Sequence, residues 1–184
     1  MKQICRGMNI PVLCDGCRMT LSIVKDDNAP DPRLEPSRIS HMVCVHPRYR
    51  LGDERGLIDP VIIKCVEEDK NMLVLPLFLS ETNVLHISTV DFQAAFTSSC
   101  IGIAYISKET ALAKLGASNS DWMEKAKAQI LTEVKEYDNY LSGNVFGYQL
   151  FDADGGIVDA CWGFTGDTLE QNGILENAGV TLAE

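Results

Sequence analysis

Two stretches of this 184-residue chain bring chemically capable side chains close together. Cys14-Asp15-Gly16-Cys17 sets two thiols on a tight turn, and two thiols are half of the tetrahedral ligand set that zinc takes. Cys5, His41, Cys44 and His46 are the nearest residues able to complete the set. Neither a second Cys-x-x-Cys nor a histidine pair at ligand spacing follows, so zinc held through Cys14 and Cys17 is an alternative reading only. A thioredoxin-type role lacks the strand before the pair and the helix after it. Cysteines number seven, and an odd count does not suit a disulfide framework. Cys44 and His46 stand two apart on a short expected strand and hence on one face, yet no third group orients the histidine as a catalytic pair requires. A cysteine-dependent enzyme with Cys44 or Cys161 as nucleophile is a second alternative. His41, His46 and His86 are the only histidines and suggest no Ser–His–Asp set, so no catalytic residue is assigned.

Charge supplies another kind of candidate. The net charge is −10, unevenly placed: residues 1–132 hold 16 acids and 15 bases, residues 133–184 hold 10 acids and one base, Lys135. A phosphate-backbone binder needs a basic face, so the acidic end argues against general nucleic-acid binding and suits a basic protein partner. Glu133, Glu136, Asp138, Asp152, Asp154, Asp159, Asp167 and Glu170 are the candidate contacts, with Tyr137 and Tyr140 adding amphipathic area. On one surface, such carboxylates imitate a phosphate row to a cleft whose arginines and lysines otherwise hold DNA or RNA. The one basic concentration is Arg48-Tyr49-Arg50 with Arg55, where guanidinium groups beside an aromatic ring can hold a phosphate and stack a base. Asp53 and Glu54 are expected to offset part of that charge. Asp152-x-Asp154-Gly155 begins like a calcium loop but lacks the later ligands, and reads as a hairpin turn.

The elements that must position these groups follow from periodicity. Strands are expected over 19–25, 42–46, 72–79, 84–88, 100–106, 145–151 and 157–164. Pro60 opens a helix to Asp69, and Ser107 caps a short one ended by Gly116. The strongest helix runs from Asp121 to Leu141, capped by Asn119 or Ser120, with Trp122, Ala126, Ile130, Val134, Tyr137 and Leu141 on one face. A last helix is expected over 169–176. Strand pairs mixed with helices, without regular alternation, give an α+β class: one domain over 1–184, with a largely antiparallel sheet and helices packed on one face. Residues 1–40 form an irregular N-terminal segment with the cysteine pair and a proline-rich loop, and 41–184 the core. No apolar run approaches the ~20 residues of a membrane helix. No apolar stretch follows Lys2 and Arg6 as in an export signal, so a cytoplasmic location is expected.

Several blocks are similar to a known group of sequences. Tyr137 to Tyr148 (YDNYLSGNVFGY), Asp159 to Asp167 (DACWGFTGD), Met42 to Asp53 (MVCVHPRYRLGD), Leu75 to Leu79 (LPLFL) and Ile101 to Lys108 (IGIAYISK) resemble a family of small accessory proteins of phages and conjugative elements. Between Glu81 and Cys100 the chain departs from that family's pattern. The family carries no settled enzymatic activity, and the resemblance implies a mobile-element setting in a host cell, where a non-enzymatic role is expected. It points to an inhibitor of a host-defence nucleic-acid enzyme, most sharply an anti-CRISPR protein whose partner is a CRISPR nuclease. A zinc-containing module that touches nucleic acid through Arg48, Tyr49, Arg50 and Arg55 is the alternative.

Overall fold

The computed structural model describes residues 7–53, 60–93, 98–166, 168–169 and 172–183, with the side chains of 60–62 excluded. Arg55, Asp167, Glu170 and Cys5 lie outside the described residues. The class is α+β, with antiparallel strand pairs throughout two sheets. The chain divides into two compact units, Met1–Pro30 with Gly143–Glu184, and Asp31–Ser142. The first unit joins the two ends of the chain, so it is closed by the chain's return at Gly143. No helix among the described residues is long and apolar enough to cross a membrane.

In the first unit, β1 (Met8–Cys14) and β2 (Cys17–Lys25) form a hairpin in continuous register from Met8↔Ile23 to Cys14↔Cys17. The segment expected to be irregular thus supplies two of the five strands of a sheet. Pro11 hides the strand pattern in the sequence, while Ile10 and Val12 supply the buried alternation. Asp15 and Gly16 both adopt positive φ (48° and 81°), the backbone of the two-residue turn whose twist matches its strands. β7 (Val145–Phe151) pairs with β2, and β8 (Ile157–Thr165) pairs with β7 across the Asp152–Gly156 turn. A two-residue strand, β9 (Thr181–Leu182), closes the order β8-β7-β2-β1-β9. Ile10, Val12, Leu21, Ile23, Phe146, Tyr148 and Leu150 make one apolar face of this sheet, covered by Leu169, Ile174, Ala178 and Val180. Of the helix expected over 169–176, residues 170–171 lie outside the described residues; the described part holds α4 (Ile174–Asn177), preceded by Gly173 at φ 77°.

In the second unit, β3 (His41–Cys44), β4 (Met72–Glu81), β5 (Leu85–Ser88) and β6 (Ser98–Ser107) form a sheet in the order β3-β6-β4-β5. Pro76 is tolerated in β4 because β5 pairs only with Phe78–Glu81, so its missing N–H faces no neighbour. α1 (Pro60–Glu68) precedes β4, and α2 (Lys108–Lys114) follows β6, capped by the Ser107 hydroxyl as expected. α3 (Trp122–Ser142) lays Trp122, Ala126, Ile130, Val134 and Tyr137 onto a core that holds Met42, Leu77, Leu79, Ile87, Ala104 and Ile106. Its first turn is fixed by Asp121, whose carboxylate accepts from the Ser118 amide and hydroxyl (2.6 and 2.8 Å) in place of the expected Asn119 or Ser120 cap. Those hydrogen bonds, with that from Lys125, lower the Asp121 carboxyl to about 2.

Candidate functional site

The acidic candidates are distributed over both compact units. Glu133, Glu136, Asp138, Tyr137 and Tyr140 belong to the second unit, Asp152, Asp154 and Asp159 to the first. Within the second unit, two of the candidate contacts are corrected by burial. Tyr137 is interior, and its phenol oxygen accepts the Gly52 amide at 3.1 Å. Glu133 is interior too, spent on a buried ionic cluster. Asp138 is engaged on both oxygens: His86 Nδ1 at 3.0 Å and the Ile87 amide at 3.1 Å on Oδ1, and Lys135 at 3.3 Å on Oδ2. Tyr140, half-buried, stacks on Tyr137 at 6.2 Å between centroids. Glu136 alone of this group is exposed, with no salt bridge among the described residues; partial burial and the neighbouring Glu133 carboxylate raise its pKa.

The cluster that takes Glu133 centres on Arg33, only 1% exposed. Asp31-Pro32 starts a short 3-10 turn that carries Arg33 inward, with the Asp31 carboxylate accepting the Arg33 amide at 2.8 Å. The guanidinium binds Asp53 through Nε (2.7 Å) and Nη2 (3.0 Å), Glu133 through Nη1 (2.8 Å), and the Ser40 carbonyl (2.7 Å). Glu133 also accepts from the Ile39 amide, the Ser40 amide and hydroxyl, and Gln129. Burial alone opposes ionisation of Glu133; donors from Gln129, Ser40, Ile39 and Arg33 together outweigh it and lower its pKa. Likewise desolvation opposes the Arg33 charge, but the two carboxylates raise its pKa overall. Sequence reasoning missed this cluster, since its members lie 20 and 100 residues apart. Asp53, expected to offset the arginines of its own loop, is committed to Arg33.

In that loop, Arg48 pairs with Glu81 and lies 5.4 Å from the Tyr49 ring centroid, while Arg50 is exposed. His46 Nδ1 accepts the Arg48 and Tyr49 amides (3.3 Å each), which places its proton on Nε2, 3.2 Å from Glu81. The imidazole is therefore a clamp on the loop. β3 ends at Cys44, so the expected shared strand face with His46 does not form. Cys44 is buried, and desolvation, followed by the Asp53 charge, pushes its thiol up to about 12. A thiol held protonated is a poor nucleophile, which removes the activation the cysteine-enzyme alternative needs at this position. Cys161 is half-buried on β8.

Cys14 and Cys17 face each other across the β1–β2 turn. Of the residues proposed to join them on zinc, His41, Cys44 and His46 belong to the other unit, and no group of three metal-ligating side chains occurs among the described residues.

The surface that remains is β8 with its hairpin. β8 is the end strand of its sheet, paired with β7 alone among the described residues. An end strand presents a row of unpaired N–H and C=O groups. Ile157, Val158 and Trp162 are 59%, 50% and 47% exposed, three large apolar groups on one strand. The Trp162 indole lies over Gly147, where a Cβ would fall 2.1 Å from the ring, so glycine on β7 makes the indole's seat. Asp154 is exposed at the turn, where Asp152 Oδ1 accepts the Asp154 and Gly156 amides (3.0 and 2.7 Å). Asp159 is exposed and accepts the buried Tyr148 hydroxyl at 2.6 Å, which holds its carboxylate in place. The first unit carries seven acids and no base from residue 143 onward. Chemically, this edge offers backbone hydrogen bonds, an indole and fixed carboxylates to a basic surface. Comparison with family models, with curated proteins and with solved structures finds no match.

Proposed function

We propose that the protein is a non-enzymatic binding protein that occupies the basic nucleic-acid cleft of a nucleic-acid-processing enzyme through β8 and its hairpin. The observation that carries the reading is the coincidence on β8 of exposed Ile157, Val158 and Trp162 with the Asp159 carboxylate, beside exposed Asp154 in the adjoining turn. Aromatic and aliphatic groups supply contact energy at the centre of such an interface, and carboxylates supply register and rate of encounter. No Lys or Arg follows Lys135, so β7, β8 and the hairpin between them carry no base of their own. In keeping with the resemblance of its sequence blocks to mobile-element proteins, the partner class is a host-defence enzyme, and a CRISPR nuclease is its sharpest form. In this reading Glu133 and Tyr137, both buried, take no part.

The test is inhibition of DNA cleavage by purified CRISPR nucleases and restriction enzymes. Inhibition that falls with added salt, and falls again in Asp154→Asn/Asp159→Asn and in Trp162→Ala, supports the reading, because screening weakens attraction between exposed charges. Full inhibition by those variants, or inhibition of no enzyme by the parent protein, overturns it.

A further inference from the structure

We propose that Cys14 and Cys17 are a reversible dithiol–disulfide couple across the mouth of the β1–β2 hairpin, oxidised by a low-molecular-weight disulfide such as glutathione disulfide. The two residues are direct partners in the antiparallel register, so their side chains leave the same face of the sheet. Directly opposed residues have Cα atoms about 4.5–5.5 Å apart, inside the range of about 4.4–6.8 Å that a disulfide spans. Their Cβ atoms stand about 4.5–5.5 Å apart, at or above the upper end of the 3.5–4.5 Å or so found in disulfides. The bond therefore forms only if the hairpin mouth closes slightly. Asp15 and Gly16, both at positive φ, make a turn with no spare residue, and the register behind it is unbroken as far as Met8. The thiols are thus kept within reach of each other, while the ring they close resists shortening.

That balance favours a reversible bond. A strained or exposed disulfide is the readily reduced kind, unlike the relaxed buried bridges of structural frameworks. Cys17 is exposed and Cys14 half-buried, so Cys17 meets the reagent first. Its thiolate attacks one sulfur of the glutathione disulfide, forming a mixed disulfide and releasing one glutathione thiolate. Cys14 then attacks Cys17 Sγ; the second glutathione leaves as thiolate, and both leaving groups take up the protons lost by the cysteines. The two cysteines are oxidised by two electrons, and one glutathione disulfide is reduced to two glutathiones. No partner protein is involved, so the couple stands or falls separately from the binding function proposed above.

Cleavage after Arg6 and Arg18 releases both cysteines in one peptide, which makes the state directly readable by mass. The full chain is equilibrated in glutathione buffers of graded ratio, quenched, alkylated, digested and weighed. The expected peptide in oxidising buffer is two hydrogens lighter and free of alkylating reagent, and returns to the doubly alkylated form on reduction. Cys14→Ser should trap glutathione on Cys17, with the thermal midpoint of the chain unchanged. Two glutathiones on the parent peptide, or two alkylated thiols in glutathione disulfide alone, overturn the proposal. Stoichiometric zinc that shields both thiols from the reagent overturns it as well.

Discussion

Replacing Arg33 by Met keeps most of the aliphatic stem and removes the cation from between Asp53 and Glu133. Three ionic hydrogen bonds go with it, at 2.7, 3.0 and 2.8 Å, together with the bond to the Ser40 carbonyl. Summing the four separately overstates the loss, because the carboxylates keep other donors: Met42 N for Asp53, and Ile39 N, Ser40 and Gln129 for Glu133. The better guide is the cost of stranding charge in an interior after one partner is deleted, about 3–5 kcal/mol. Urea denaturation of parent and variant at neutral pH measures it. Acid gives the mechanism a second check. Glu133 has a folded pKa below its unfolded value, so its contribution is complete above the ordinary glutamate range and is lost as pH falls through the folded value. The gap between parent and Arg33→Met should therefore narrow on acidification, as the stranded carboxylates protonate. A loss below about 1 kcal/mol, the size of a solvent-exposed pair, refutes the assignment of the cluster as a buried network. A gap that widens on acidification refutes its electrostatic origin.

Other consequences are equally concrete. Gly102→Ala puts a Cβ 1.9 Å from the Val43 carbonyl oxygen, backbone against backbone; denaturation should show a loss of about 1–3 kcal/mol or more, the range for overpacking. Tyr137→Phe leaves the buried Gly52 amide without its acceptor, and the same assay should read about 1–3 kcal/mol. Cys44, with its thiol pushed to about 12, should stay unalkylated at neutral pH in the folded chain while exposed Cys17 and Cys100 react; mass spectrometry of the labelled peptides decides. The Asp121 carboxyl should titrate near 2 by NMR, and its stabilisation of α3, complete above the ordinary aspartate range, should fade only as pH drops through that value.

The amino-acid sequence by itself determined much of the local structure. The apolar stripe from Trp122 to Tyr137 defines α3 because residues three and four apart share a helix face, and that face is the one buried. Asp152–Gly156 joins β7 to β8 as its turn residues dictate, and Ser107 caps α2. The α+β class follows from these elements. β1 escaped notice because Pro11 and the cysteine pair obscured a short alternation that only pairing with β2 makes stable.

What only the tertiary structure decided is which charges are free. Carboxylates on a helix look alike in sequence; Glu133 differs from Glu136 because Arg33, 100 residues earlier, is carried to it by a loop with no periodicity. The acids of α3 and of the β7–β8 hairpin are neighbours along the chain but belong to different compact units, divided at Gly143. Strand order likewise leaves β8, with exposed Trp162 and Asp159, at an end of its sheet. Local propensity is written in spacing, whereas ion pairing, burial and sheet edges are set by contacts between distant segments, and those exist only after the chain has packed.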